Sequence, residues 1–155
     1  VQVYGIDGDK EIIEIAKAKA EKEKVEINFV CGTVEDMPFE DGMFDTVVSS
    51  LVFHHLNEKQ KFSAAKEVHR LLKDKGEFHL QDWSKPSNKL MRLAFYIVQV
   101  FDGFETTSGV VSGEIIVILT LCEFKESHTH SPLDSIFGTL AIHSGVKQAN
   151  TEGAV

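Results

Sequence analysis

The chain has few cysteines: in 155 residues only Cys31 and Cys122, far apart and in no C-x-x-C pair, which excludes a disulfide framework and a thiolate metal site. That sparing use fits a reducing, cytoplasmic setting. There is no surplus of cations. Sixteen Lys and Arg against 24 Asp and Glu leave a formal charge of -8, which argues against nucleic acid as a partner, because phosphate contacts need clustered Lys and Arg. Long apolar runs are missing too. Leu90 to Phe101 and Ile115 to Cys122 are too short to span a bilayer, although each is apolar enough to meet a lipid or another subunit. No charged start followed by an apolar run resembles a signal peptide, and there is no repeat or low-complexity tract. What is present, 43% apolar and 26% charged residues, suits one folded domain, expected over residues 1–147 with a frayed tail from Gln148 to Val155.

Val1 to Ile6 reads as a short apolar strand, and Asp9 to Lys24 as a helix carrying Ile12, Ile13, Ala16 and Ala20 at helical spacing. Val25, Ile27, Phe29 and Cys31 alternate as in a half-buried strand; Pro38 and Asp41-Gly42 then close a loop. Phe44 to Ser50 is the next strand. Asn57 or Glu58 starts a helix whose Phe62, Ala65, Val68, Leu71 and Leu72 form one stripe, with Gly76 expected at its C-terminal end and Glu77 to Asp82 as a further strand. Strands alternating with helices mean crossover units, so the fold class is α/β with a mostly parallel sheet. Past Trp83 the rhythm changes: Asn88 to Phe101 reads as a largely buried helix, Asp102 to Thr107 as a loop, and Gly113 to Phe124 as strand or buried helix. Glu123 to His130 and Ile136 to His143 read as a closing antiparallel pair.

Three segments carry the chemistry: GIDGDKEIIEIAKAKA, INFVCGTVEDMPFEDGMFDTVVSSLVFHHL and EVHRLLKDKGEFHLQD. Together they resemble the class I S-adenosylmethionine-dependent methyltransferases, specifically the small-molecule branch that includes the ubiquinone and menaquinone biosynthesis methyltransferases. The resemblance runs from Val1 to Asp82 and returns weakly in FDGFETT and IFGTL. Its most specific part is the middle segment, an acidic-Met-Pro-Phe loop before Phe-Asp, then an apolar strand ending in Ser-Ser and His-His-Leu. It implies a Rossmann-like sheet with a C-terminal antiparallel pair, S-adenosyl-L-methionine as cofactor and a small apolar or aromatic methyl acceptor. By position it gives Asp7 to the ribose hydroxyls and Gly8 to the backbone beside the adenosine.

A carboxylate suits that task because it accepts from two vicinal hydroxyls at once. Asp7 has a second reading as a helix N-cap, for which Asp9 is at least as well placed. An Asp-x-Asp calcium loop lacks its further ligands and its glutamate. Where the family reads Gly-Asp-Ala beside the adenine amino group, this chain has Gly32-Thr33-Val34. The Thr33 hydroxyl is a neutral acceptor, about half as strong as a charged one, and Glu35 or Asp36 can substitute or be solvated loop acids. The resemblance brings Ser50 to the methionine part of the cofactor; otherwise it is a strand-end turn residue. His54 and His55 lie at the carboxyl edge of the sheet, where open α/β sheets bind ligands. Either can take a proton from an acceptor or be a packed, hydrogen-bonded histidine. Asp82 and Trp83 are further acceptor-side candidates. No metal is expected: His128 and His130 share a strand face without a third ligand and are read as exposed.

Two rivals stand beside methyl transfer. A nicotinamide oxidoreductase also uses an acid for the ribose, but nothing after the fourth strand supplies a hydride-transfer site, and Met37-Pro38-Phe39 with Phe44-Asp45 follows the methyltransferase pattern. A non-catalytic partner subunit, one that kept the fold and lost the cofactor, stays open through Thr33 and above all through the absent start. The resemblance implies a further strand and glycine-rich turn before Val1, lying between the strand of Val3 and the strand of Val47. The expectation is that the 155 residues alone bind cofactor very weakly and turn over nothing, and that the sheet either closes imperfectly across the gap or exposes strand edges that invite self-association.

Overall fold

The computed structural model describes residues 1–102, 114–136 and 138–149, and the chain divides into two compact units, residues 1–39 and residues from 40 on. The first is a strand-helix-strand crossover: β1 (Tyr4–Asp7), α1 (Lys10–Glu23) and β2 (Asn28–Cys31). Its strands pair in parallel from Tyr4 opposite Asn28 to Asp7 opposite Cys31, so both strands end side by side. Helix α1 starts where Asp9, in extended backbone, accepts from the Glu11 N–H at 2.7 Å. It ends at Lys24, whose φ of 55° lets its N–H close on the Ala20 and Glu21 carbonyls. Val25 is spent on the same cap, its N–H on the Ala20 carbonyl at 3.0 Å. Strand pairing therefore begins at Asn28, later than the alternation from Val25 implies.

The second unit runs β3 (Phe44–Ser50), a 3-10 turn (Phe53–His55), α2 (Glu58–Leu71), β4 (Leu72–Trp83), α3 (Lys89–Asp102), α4 (Glu114–Leu121), β5 (Phe124–Thr129), β6 (Leu133–Ser135) and β7 (Gly138–Lys147). The sheet order is β3-β4-β7-β5, with β6 also on β7. β3 and β4 are parallel, whereas β7 is antiparallel to β4, β5 and β6; the expected closing pair is thus β5 with β7. Of the undecided run, Glu114–Leu121 is a helix, with Ile115 and Leu119, four apart, both buried. Most of the expected loop from Asp102 to Thr107, and the tail beyond Ala149, lie outside the described residues.

Gly76 corrects the sequence reading. Helix α2 opens on an Asn57–Gln60 capping box and stops at Leu71, and β4 follows without a glycine cap. Gly76 lies inside β4, where a Cβ would come within 2.8 Å of the Lys73 carbonyl oxygen and 3.1 Å of that of Asp45. Phe44 pairs with Leu72 but Thr46 with Glu77, so β4 carries an excursion over residues 73–76, with Lys75 at φ 64°. Glycine is needed here for close backbone approach rather than for a helix end.

One face of the larger sheet is the core. Phe78, Leu80 and Phe124 of the sheet and Ala64, Ala65, Val68 and Leu71 of α2 are all buried, and Phe78 meets Phe53 at 6.0 Å and Phe124 at 5.8 Å. Each such side chain contributes about 1.5–3 kcal/mol on leaving water. An ion pair between buried Lys61 and half-buried Glu114 joins α2 to α4. Among the described residues β3 pairs with β4 alone, β1 and β2 pair only with each other, and no helix is long and apolar enough to cross a membrane.

Candidate functional site

In the first unit the carboxyl ends of two parallel strands gather the residues read as cofactor ligands. Asp7 closes β1 exposed to solvent, its Oδ1 accepting from the Asp9 N–H at 2.8 Å. The two acids thus divide the roles: Asp9 caps α1, and Asp7 is oriented by that cap with its carboxylate facing water. The nearest atom to a Cβ built on Gly8 is the Gly32 carbonyl oxygen at 3.8 Å, so nothing in the fold itself excludes a side chain there. The Gly32 N–H donates to the Asp7 carbonyl at 3.0 Å, which ties the next turn to the end of β1. That turn runs from exposed Thr33 through half-buried Val34 and Glu35 to exposed Asp36, with a 3.4 Å bond from the Asp36 N–H to the Thr33 carbonyl. Asp7, Gly8, Thr33, Val34 and Glu35 therefore share one edge. An adenosyl group needs a carboxylate open to two hydroxyls and backbone it can approach closely, and Asp7 and Gly8 fit both needs.

In the second unit lie Ser50 and the residues read as acceptor-side candidates, His54, His55, Asp82 and Trp83. Exposed Ser50 ends β3 opposite Gln81. Leu51 then takes φ 55° with its N–H on the Gln81 carbonyl at 2.9 Å, a conformation costing a bulky residue about 1–2 kcal/mol. This bend directs the chain into Phe53–His55. Only 4% of His54 and 1% of Asp82 are exposed. Asp82 Oδ1 accepts from His54 Nδ1 at 2.6 Å and from the Trp83 N–H at 2.7 Å, while Oδ2 accepts from the His54 N–H at 3.1 Å. A carboxylate can only accept, so His54 Nδ1 carries the proton of this bond. His55 is exposed with its ring 3.9 Å from that of His54, and half-buried Trp83 meets His54 edge-on at 6.4 Å and Phe95 at 5.8 Å.

Sequence reasoning missed His143. On β7 it lies opposite Leu80, 4% exposed, with Nδ1 on the Thr129 hydroxyl at 2.9 Å and Nε2 buried without a partner. An unsatisfied buried group costs about 1–3 kcal/mol. Burial pushes its pKa below the ordinary 6.5, and His130 adds to that, while the Asp82 carboxylate pulls the other way. The signal was present: Thr139, Ala141, His143 and Gly145 alternate on one strand face, all buried. His128 and His130 are exposed and share the Ser144 hydroxyl at 3.2 and 3.1 Å. Among the described residues no three His, Cys, Asp or Glu gather as metal ligands. Cys122 is buried, and that burial raises its thiol pKa.

A family model described as a methyltransferase domain matches residues 1–80, which contain β1, α1, β2, β3, α2 and most of β4. The chain belongs to this methyltransferase domain family. An uncharacterized methyltransferase of Synechocystis is 36% identical over 83% of this chain and 58% of its own length. The mitochondrial 2-methoxy-6-polyprenyl-1,4-benzoquinol methylase of Bos taurus is 30% identical over 91% of this chain and 47% of its own. The methyltransferase domain here thus spans about half the length of these curated relatives. In fold it is similar to a SAM-dependent methyltransferase from Methanosarcina mazei, with a TM-score of 0.72 at 20% identity, covering 96% of this chain and 83% of that one. The α/β class with a Rossmann-like sheet is therefore the fold of this chain.

Proposed function

We propose that this chain carries the ribose-binding edge and the acceptor-side wall of an S-adenosylmethionine-dependent methyltransferase whose acceptor is a small aromatic molecule of the quinol type. The observation that carries the reading is Asp7, a solvent-facing carboxylate held at the end of β1 beside the turn of Thr33, with no atom crowding Gly8 closer than 3.8 Å. The quinol class is supported by the relative named as a benzoquinol methylase.

When bound, S-adenosylmethionine supplies a methyl group on a sulfonium, an electrophile that asks little of the protein beyond in-line placement of a nucleophile. Asp7 accepts from the two ribose hydroxyls, Gly8 leaves room for the adenosine, and the Thr33 hydroxyl or the Glu35 carboxylate accepts from the adenine amino group. Residues from 40 on do the acceptor-side work. Ser50 binds the methionine part. Exposed His55, beside the His54 ring that Asp82 holds, takes the proton of the acceptor hydroxyl or ring carbon, and half-buried Trp83 lines the acceptor.

Weak binding by the 155 residues alone belongs to the same reading, because β1 and β3 each have one side without a strand partner among the described residues. Equilibrium dialysis of S-adenosylhomocysteine tests it, comparing this chain with a version carrying an upstream strand and glycine turn. The extended version is expected to bind at least about tenfold more tightly, one tenfold step being about 1.4 kcal/mol. Comparable micromolar binding by both overturns the weak-alone part. Binding by neither overturns the cofactor assignment and favours a non-catalytic partner subunit, to which the neutral Thr33 also points.

A further inference from the structure

Helix α3 is amphipathic twice over. Its inward side is anchored: Phe95 is fully buried against Trp83, and Gln99 is buried with its Oε1 accepting from Arg92 Nη1 at 2.7 Å. Its outward side is apolar as well. Leu90, Leu93, Ile97 and Val100 are 67%, 64%, 54% and 68% exposed, and their spacing of three, four and three residues puts them on one stripe. Single exposed apolar residues are ordinary, but a contiguous stripe along a helix marks an interaction surface.

Charge says what kind of surface it meets. From Ser84 to Val100 there is no Asp or Glu, while Lys85, Lys89 and Arg92 cluster at the start of the helix, in a chain whose net charge is -8. Helical spacing places Lys89 and Arg92 along one flank of the stripe, together with Tyr96, whose ring holds the Arg92 guanidinium at 4.3 Å. Cations on flexible stems and an amphipathic ring beside an apolar stripe are what a lipid headgroup layer accommodates. The start of the helix is also fastened to the sheet. Asp134 of β6 accepts from the Ser87 hydroxyl at 2.6 Å and from that of Thr139 at 2.7 Å.

We propose that the outward face of α3 docks on an anionic lipid surface, with Leu90, Leu93, Ile97 and Val100 entering the acyl boundary and Lys85, Lys89 and Arg92 meeting the phosphates. The helix lies on the membrane and does not span it; its 14 residues are too few to cross. This inference rests on exposure and charge alone and stands or falls separately from the methyl acceptor.

The test is co-sedimentation of the 155-residue chain with vesicles of phosphatidylcholine alone and with vesicles containing one third phosphatidylglycerol. Binding to the anionic vesicles is expected to exceed binding to the neutral ones by about tenfold and to fall as salt is raised. Leu93→Ser with Ile97→Ser should cut the binding by about tenfold, and Lys89→Glu by several-fold, with the melting temperature unchanged because these side chains face solvent. No binding to either vesicle, or equal binding to both, overturns the proposal. So does a stripe variant that binds vesicles like the parent while dissociating a dimer in sedimentation velocity, which would give the face to a second copy of the chain.

Discussion

The two candidate regions solve opposite problems. At the end of β1 the decisive carboxylate, Asp7, is exposed and accepts from one N–H of its own turn. At the end of β4 the decisive carboxylate, Asp82, is buried and takes three donors from the chain itself. A buried carboxylate must be saturated by its fold, because stripping its water costs several kcal/mol unless partners replace it. An exposed one can keep acceptor capacity for a ligand. Acceptor capacity left open to a ligand therefore lies with Asp7, while the Asp82 carboxylate is taken up by the fold and holds the His54 ring.

The largest expected effect follows from that contrast. Asp82→Ala leaves the His54 ring N–H and two backbone N–H groups buried without their acceptor, and should destabilise the second unit by about 3–5 kcal/mol. Asp7→Ala, at an exposed position, should change stability by less than about 0.5 kcal/mol. Urea unfolding of both variants gives the comparison, and equal losses would abolish it.

Acid should act next. Burial lowers the pKa of His143, and of His69 as well, where the charge of Lys147 adds to burial. For a base depressed in the folded state, the unfolded chain binds more protons, so stability is complete above the unfolded value of 6.5 and is lost as pH falls below it toward the folded value. Melting temperatures between pH 7.5 and pH 5.5 should fall with acidity, and His143→Gln should flatten that slope. An unchanged slope would mean that His143 is not the titrating group.

Gly8→Ala is a smaller perturbation to the fold. With no atom closer than 3.8 Å to the new methyl, melting should not move, yet affinity for S-adenosylhomocysteine should drop several-fold in a chain extended upstream. Lost stability without lost affinity would make Gly8 a structural residue. Smallest of all, Lys73→Ala removes a surface pair with Asp45 and should raise the Asp45 pKa toward its ordinary value without a measurable change in melting, as exposed ion pairs contribute little.

Local rules made much of the fold legible. β3 was readable from Phe44 to Ser50, and the helix starts at Asp9 and Asn57 follow from side chains that cap their own backbone. The place of Asp7 and Gly8 at the end of β1 was legible for a related reason, since the two are adjacent and follow a short apolar strand. Gly76 misled because a glycine after an apolar helical stripe is a common helix end, and only the register between β3 and β4 shows the backbone approach that requires it. His54 and Asp82 were each singled out, but their bond spans 28 residues and depends on that same register. His143 was hidden in a strand whose neighbours are set by β4 and β5, although its alternation with Ala141 and Gly145 was visible.

The central claim, that Asp7 is the ligand-facing carboxylate, is tested most directly by calorimetric titration of S-adenosylhomocysteine into a version extended by an upstream strand and glycine turn, parent beside Asp7→Ala. The account predicts a loss of roughly 1.5–3 kcal/mol in binding free energy, that of a hydrogen bond to a charged group, with an unchanged urea midpoint. Affinity equal to the parent's in a folded Asp7→Ala variant would contradict it.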